Sequence, residues 1–95
     1  MANTDVRISP KQAIVLRAML DDPKKPQYTH GLAVALDMPG PTVRHCLRRL
    51  ETAGWLVSGR EPRTGKHEAR NFYNFTPFGL KAAKAEIATW EFTDE

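Results

Sequence analysis

The sequence has one cysteine in 95 residues, Cys46. It can form no internal disulfide, which agrees with a reducing cytoplasm. No uninterrupted apolar run approaches the ~20 residues a membrane-spanning helix needs, and the opening Met1-Ala-Asn-Thr-Asp-Val-Arg7 lacks the basic and apolar regions of a secretory signal. A cytoplasmic protein without membrane partners is expected. The three histidines, His30, His45 and His67, fall in three separate predicted elements without ligand spacing, so no metal site is expected. The two serines, Ser9 and Ser58, are placed at a helix cap and in a strand. There is no glycine-rich phosphate loop and no carboxylate cluster on a common predicted face. So small a chain also encloses little substrate. These absences argue against an enzyme, and no cofactor is expected.

Apolar residues make up 41% of the chain, enough for one small domain with a single core. The net charge of +3 is unevenly spread. Residues 39–70 hold seven Arg or Lys against three Glu, whereas residues 81–95 hold two Lys against four acids. Positive charge concentrated in one stretch suits a surface that faces phosphates.

Residues 1–8 read as a flexible N-terminal arm, with a short strand at Val6–Ile8. Ser9-Pro-Lys-Gln12 matches a capping box with proline at the first helical position. The helix that follows is apolar on most sides: Val15, Leu16, Met19 and Leu20 cover one face, Ile14 and Ala18 the other. Such a helix is expected to be sandwiched. The charged, proline-punctuated 21–27 stretch is a loop. Thr29 is the expected N-cap of a second helix, whose Leu32, Ala33 and Leu36 point inward.

Prolines at 39 and 41 should push Met38 and Gly40 out of the helical region and force a sharp turn at Asp37–Gly40. A third helix is predicted from Pro41 to Ala53, closed by Gly54 in the left-handed conformation. Val43, Leu47 and Leu50 form its core stripe, flanked by Cys46 and Ala53; Arg44, His45, Arg48, Arg49 and Thr52 fall outside. A helix, a tight glycine-containing turn and a second helix with a polar outer face make a helix-turn-helix.

Residues 55–60 and 70–76 are rich in β-formers, and Pro62 and Gly65 between them predict a hairpin with a basic tip at Arg63, Lys66 and nearby Arg70. Trp55, Tyr73 and Phe75 are expected to cap the core, and Cys46 to be a buried structural thiol. Thr76-Pro77 starts a last helix, running to Trp90 or Phe92. Leu80, Ala83, Ile87 and Trp90 line one face of it, and Phe78, Ala82, Ala85 and Phe92 leave the other side apolar as well, which points to dimerisation. The expected fold is mainly α with a small β-hairpin, a winged helix-turn-helix made of a three-helix core, a wing and a C-terminal helix. It occupies residues 9–92, and 93–95 form a tail.

Gly40-Pro-Thr-Val-Arg-His-Cys-Leu-Arg-Arg-Leu-Glu-Thr-Ala-Gly54, then Trp55-Leu-Val, a basic hairpin and Tyr73-Asn-Phe-Thr-Pro-Phe-Gly79, resembles the PadR-type winged-helix regulators. Those carry a helix ending in Leu-x-x-Leu-Glu-x-x-Gly and a wing closing in Tyr-x-Leu-Thr-x-x-Gly. The resemblance covers about residues 12 to 80, and the last motif is its most specific part. Phe75 stands where the family usually has leucine and Arg44 where it often has an aromatic residue. One helix follows the wing, in place of a longer C-terminal dimerisation or effector domain. The MarR and ArsR groups share the same grammar in the third helix.

The resemblance implies a DNA-binding regulator of transcription that is a homodimer. The expected function is sequence-specific binding of double-stranded DNA as a repressor, and the apolar faces of the last helix and of the first put Leu80, Ala83, Ile87 and Trp90 at the dimer contact. The resemblance puts the third helix in the major groove, with Thr42, Arg44, His45 and Arg48 near base edges and Arg49 on phosphate. Arg63, Lys66 and Arg70 of the wing 60–70 would contact the backbone or the minor groove. Two other uses of the scaffold stay open from sequence. One is a protein-interaction module without sequence-specific DNA binding, such as a phage or accessory factor. The other is RNA or single-strand binding, which would need Phe72 and Tyr73 on the surface.

Overall fold

A computed structural model of the chain describes residues 8–61 and 70–90. Among these run α1 (Pro10–Leu20), β1 (Gln27–Tyr28), α2 (Thr29–Leu36), α3 (Gly40–Thr52), β2 (Leu56–Glu61), β3 (Arg70–Phe75) and α4 (Pro77–Thr89). The order is a three-helix core, a hairpin and a final helix, the mainly helical winged-helix arrangement.

The capping box forms as its spacing predicts. The Gln12 amide donates to Ser9 Oγ at 3.2 Å, and the Ser9 amide donates to Gln12 Oε1 at 2.9 Å. The apolar α1 then lies at the centre, packed against α2, α3 and α4. Ala13, Val15, Leu16 and Met19 are buried, whereas Ile14 stays 41% exposed, so the sandwich closes on most of the helix but not on that side. Ile8 is also buried in the core. The folded region therefore takes in residue 8, a correction to an arm spanning 1–8; positions 6 and 7 of the expected strand lie outside the described residues.

The second helix starts differently from expectation. Tyr28, extended at φ −116° and ψ 143°, is its cap and makes no side-chain capping bond, and Thr29 is already helical. The cause is β1: Gln27 and Tyr28 pair with Tyr73 and Phe72, which holds Tyr28 in the strand conformation. The sheet is thus three-stranded, in the order β1-β3-β2 with antiparallel pairs, where the sequence suggests only a hairpin.

Between α2 and α3 the turn is made by Asp37, Met38 and Pro39. Asp37 takes the left-handed conformation at φ 55°, which aspartate tolerates better than most residues. The Asp37 and Met38 amides donate to the Val34 and Ala33 carbonyls and close α2. Gly40, expected to be pushed out of the helix by Pro41, is instead its first residue. The clash that disfavours a helical residue before proline involves its Cβ, and glycine has none.

At the other end Gly54, at φ 85°, makes the glycine closure. Its amide donates to Glu51 and the Trp55 amide to Leu50, the paired bonds of a Schellman motif. Val43, Cys46, Leu47 and Leu50 of α3 are all buried, at about 1.5–3 kcal/mol for each large side chain. Packing therefore outweighs the ~1 kcal/mol that a glycine costs a helix.

Thr76 explains the motif that ends the wing. Its hydroxyl donates to the Gly54 carbonyl at 2.8 Å and accepts from the Gly79 amide at 2.8 Å, while its own amide donates to the Trp55 carbonyl at 3.0 Å. One residue thus ties the end of α3 to the start of α4. Gly79 is buried there, and a Cβ on it would overlap the Trp55 backbone carbonyl.

Trp55 and Tyr73 cap the core, both 5% exposed, with Phe75 half-buried against it. On the opposite face of the sheet the half-buried Phe72 covers Gly59 and meets the Tyr28 ring edge-on, with centroids 6.5 Å apart and planes at 71°. Tyr73 is buried and cannot stack on a base, and Phe72 is half-buried against Gly59 and Tyr28, which counts against the single-strand reading. No helix among the described residues is long and apolar enough to cross a membrane.

Candidate nucleic-acid interface

The exposed side of α3 has two flanks, and each borders a recess. Towards the wing, a groove of ≈ 630 Å³ lies between α3, the start of α2 and strands β2 and β3. Arg44 and Arg48 of α3, Arg60 and Arg70 of the strands and His30 of α2 line it. Strand alternation accounts for Arg60. It pairs with Asn71 as Ser58 pairs with Tyr73, so Ser58 and Arg60 share the face turned towards α3.

The carboxylates of this region have their own partners. Ser58 Oγ donates to Glu51 at 2.6 Å, tying the last turn of α3 to β2. Glu61 accepts from Arg70 Nε and Nη2 at 3.1 and 2.9 Å and from the Tyr28 hydroxyl at 3.1 Å. The Arg70 guanidinium also lies over the Tyr28 ring, 4.2 Å from its centroid. Partial burial, and then the Glu61 hydrogen bond, hold the Tyr28 hydroxyl above its ordinary pKa, so it stays a donor at neutral pH. Among the described residues, Arg44, Arg48 and Arg60 have no carboxylate within ion-pair distance.

The other flank faces α1. There Thr42, His45 and Arg49 line a shallower recess of ≈ 370 Å³ beside Cys46. Burial pushes the Cys46 thiol up, and the positive charges of Lys11 and then Arg49 pull the other way. The net rise keeps the thiol protonated, as suits a buried structural cysteine.

The residues singled out from sequence therefore separate. Arg44 and Arg48 share the wing-side groove with Arg70, whereas Thr42, His45 and Arg49 lie on the α1 side. Arg70 is engaged by Glu61 and Tyr28, contacts that brace the base of the wing. Arg63 and Lys66, with His67, lie outside the described residues. Sequence reasoning missed Arg60 and Tyr28. The first is found by running the alternation from buried Leu56; the second needs the β1–β3 pairing, which no local signal marks.

On α4, Ala83 is 0% exposed and belongs to the chain's own core, which corrects its place among dimer-contact residues. Ile87 and Trp90 are half-buried against that core, Leu80 is half-buried, and Phe78 is 59% exposed. The groups of three or more side chains needed for a metal site are absent among the described residues.

No protein-family model matches the sequence, and no curated protein does. Solved structures match over most of the chain. The PcaV transcriptional regulator from Streptomyces coelicolor, in complex with its natural ligand, has a TM-score of 0.65 at 22% identity, over 83% of this chain and 52% of that one. MepR, a transcription regulator of the Staphylococcus aureus multidrug efflux pump MepA, has a TM-score of 0.67 at 25% identity, over 85% and 56%. The S. aureus MepR–DNA complex has a TM-score of 0.69 at 23% identity, over 85% and 63%. These are MarR-family winged-helix regulators, and nothing ties the chain to the PadR group in particular. The chain spans about half to three-fifths of the length of these structures, and what it shares with them is the winged-helix fold of transcription regulators.

Proposed function

We propose that the chain is a sequence-specific binder of double-stranded DNA that regulates transcription, acting as a repressor. In this reading α3 enters the major groove and the wing 60–70 runs along the backbone or into the adjacent minor groove. The observation that carries it is the wing-side groove. Arg44, Arg48 and Arg60 converge there from two elements with no carboxylate partner among the described residues, while Glu51 and Glu61 are held by other groups. Guanidinium groups gathered on one groove without carboxylate partners attract anions, and their planar forks suit phosphate and guanine. The neighbouring regulators, one of them seen with DNA, support the same conclusion.

Fluorescence anisotropy with a random-sequence duplex across a salt series tests it, with a single-stranded control. The expected result is micromolar binding, stronger for duplex, with log K falling steeply against log salt. Undetectable duplex binding at low salt would overturn the reading and favour a protein-docking winged helix.

A homodimer, cytoplasmic and without a membrane partner, completes the proposal. Leu80, Ile87 and Trp90 on α4, half-buried, are its candidate contact, and the exposed Phe78 marks the helix's other apolar side. Sedimentation should give twice the chain mass at the protein concentrations where DNA binding saturates. A monomer under those conditions removes α4 as an interface.

A further inference from the structure

We infer that Lys11 and Arg49 form a second phosphate-binding edge, on the sugar-phosphate strand that borders the major groove on the side away from the wing. This rests on the reading of α3 as the helix that enters that groove. A helix of ~10–12 Å diameter fills a groove ~12 Å wide, so the residues on its two flanks meet the two walls. Arg44, Arg48 and Arg60 supply cations on the wing flank. The opposite wall is left to the recess beside α1.

That recess is lined by Lys11, Thr42, His45 and Arg49, and no carboxylate lines it. Lys11 comes from the first turn of α1, well outside the helix-turn-helix. The Ser9 capping box fixes where that turn begins, and packing of α1 on α3 sets it on the recess that Arg49 also lines. Cys46 lines the same recess, and the charges of both Lys11 and Arg49 act to lower its thiol pKa against burial. Neither cation has a carboxylate partner among the described residues. An ammonium on a flexible stem next to a guanidinium suits phosphate oxygens and carries little base information.

The test compares wild type with Lys11→Gln, Arg49→Gln, the double variant and Lys25→Gln on a random-sequence duplex across a potassium chloride series. Lys25 removes the same charge from the loop between α1 and α2, where it borders a different groove. Each neutralised phosphate contributes a salt slope of about 0.9. Lys11→Gln and Arg49→Gln should each lower the slope by about that amount, and the double variant by about twice as much. Lys25→Gln should leave it unchanged, with circular dichroism reporting intact folding for all four. A wild type that binds steeply while Lys11→Gln keeps its slope, or loses no more than Lys25→Gln, overturns this inference alone. A wild type with no duplex binding overturns the regulator reading and this edge together.

Discussion

Replacing Gly79 with alanine is expected to cost the fold about 3 kcal/mol or more, the upper end of what overpacking costs. The added Cβ would land on the Trp55 backbone carbonyl, and backbone cannot swing aside as a side-chain tip can. Relief requires moving the start of α4 away from the strand. That movement breaks the bonds Thr76 makes to Gly54, Trp55 and Gly79 and opens the packing around buried Trp55 and Ala83. Against a total stability of ~5–15 kcal/mol for a small domain, the loss lowers the melting temperature by at least about 10 °C. Thermal denaturation followed by circular dichroism measures it. A shift of under about 3 °C, less than 1 kcal/mol by the same scaling, would mean that α4 docks with more freedom than its contacts indicate.

The second large effect concerns Arg48, the guanidinium on the outward side of α3 that lines the wing-side groove without a carboxylate partner among the described residues. If it reads a guanine through its planar fork, Arg48→Ala loses about 1–3 kcal/mol, or roughly 5- to 150-fold, on the preferred duplex. On random duplex it loses only one phosphate's share of the binding. Selection from a random duplex pool supplies the preferred sequence, and anisotropy on both DNAs supplies the comparison. Arg48→Lys separates charge from geometry, because it keeps random binding and loses the discrimination. Equal losses on the two DNAs would move Arg48 from base edge to backbone.

The elements legible in the sequence are those whose causes are local. Ser9 and Gln12 three residues apart, Thr76 followed by Pro77, and Gly54 after an amphipathic run each name a helix end, and each closes as read. The core stripe of α3 follows from spacing alone, as does the burial of Cys46. What was not legible depends on distant partners. Tyr28 is a strand residue only because Phe72 stands opposite it, and that displaced the expected cap at Thr29. On α4 two apolar faces compete, and periodicity cannot say which turns inward; packing against α1 buries Ala83. Arg70 reads as a free cation until Glu61 and Tyr28 are placed around it. The same holds for the candidate site. The basic face of α3 was visible, whereas its division between a wing side and an α1 side required the tertiary structure.

The β1–β3 pairing also orders events in time. Gln27 and Tyr28 find their partners at Tyr73 and Phe72, far along the chain, whereas α1, α2 and α3 meet through shorter separations. During synthesis the three helices are complete while the edge of β1 has nothing to pair with. Closing that loop, like docking α4 on α1, costs more entropy than joining neighbouring helices. Tyr28 is held beneath Arg70 only where the return strand is paired, so the shape of the wing's base depends on contacts between distant parts of the chain.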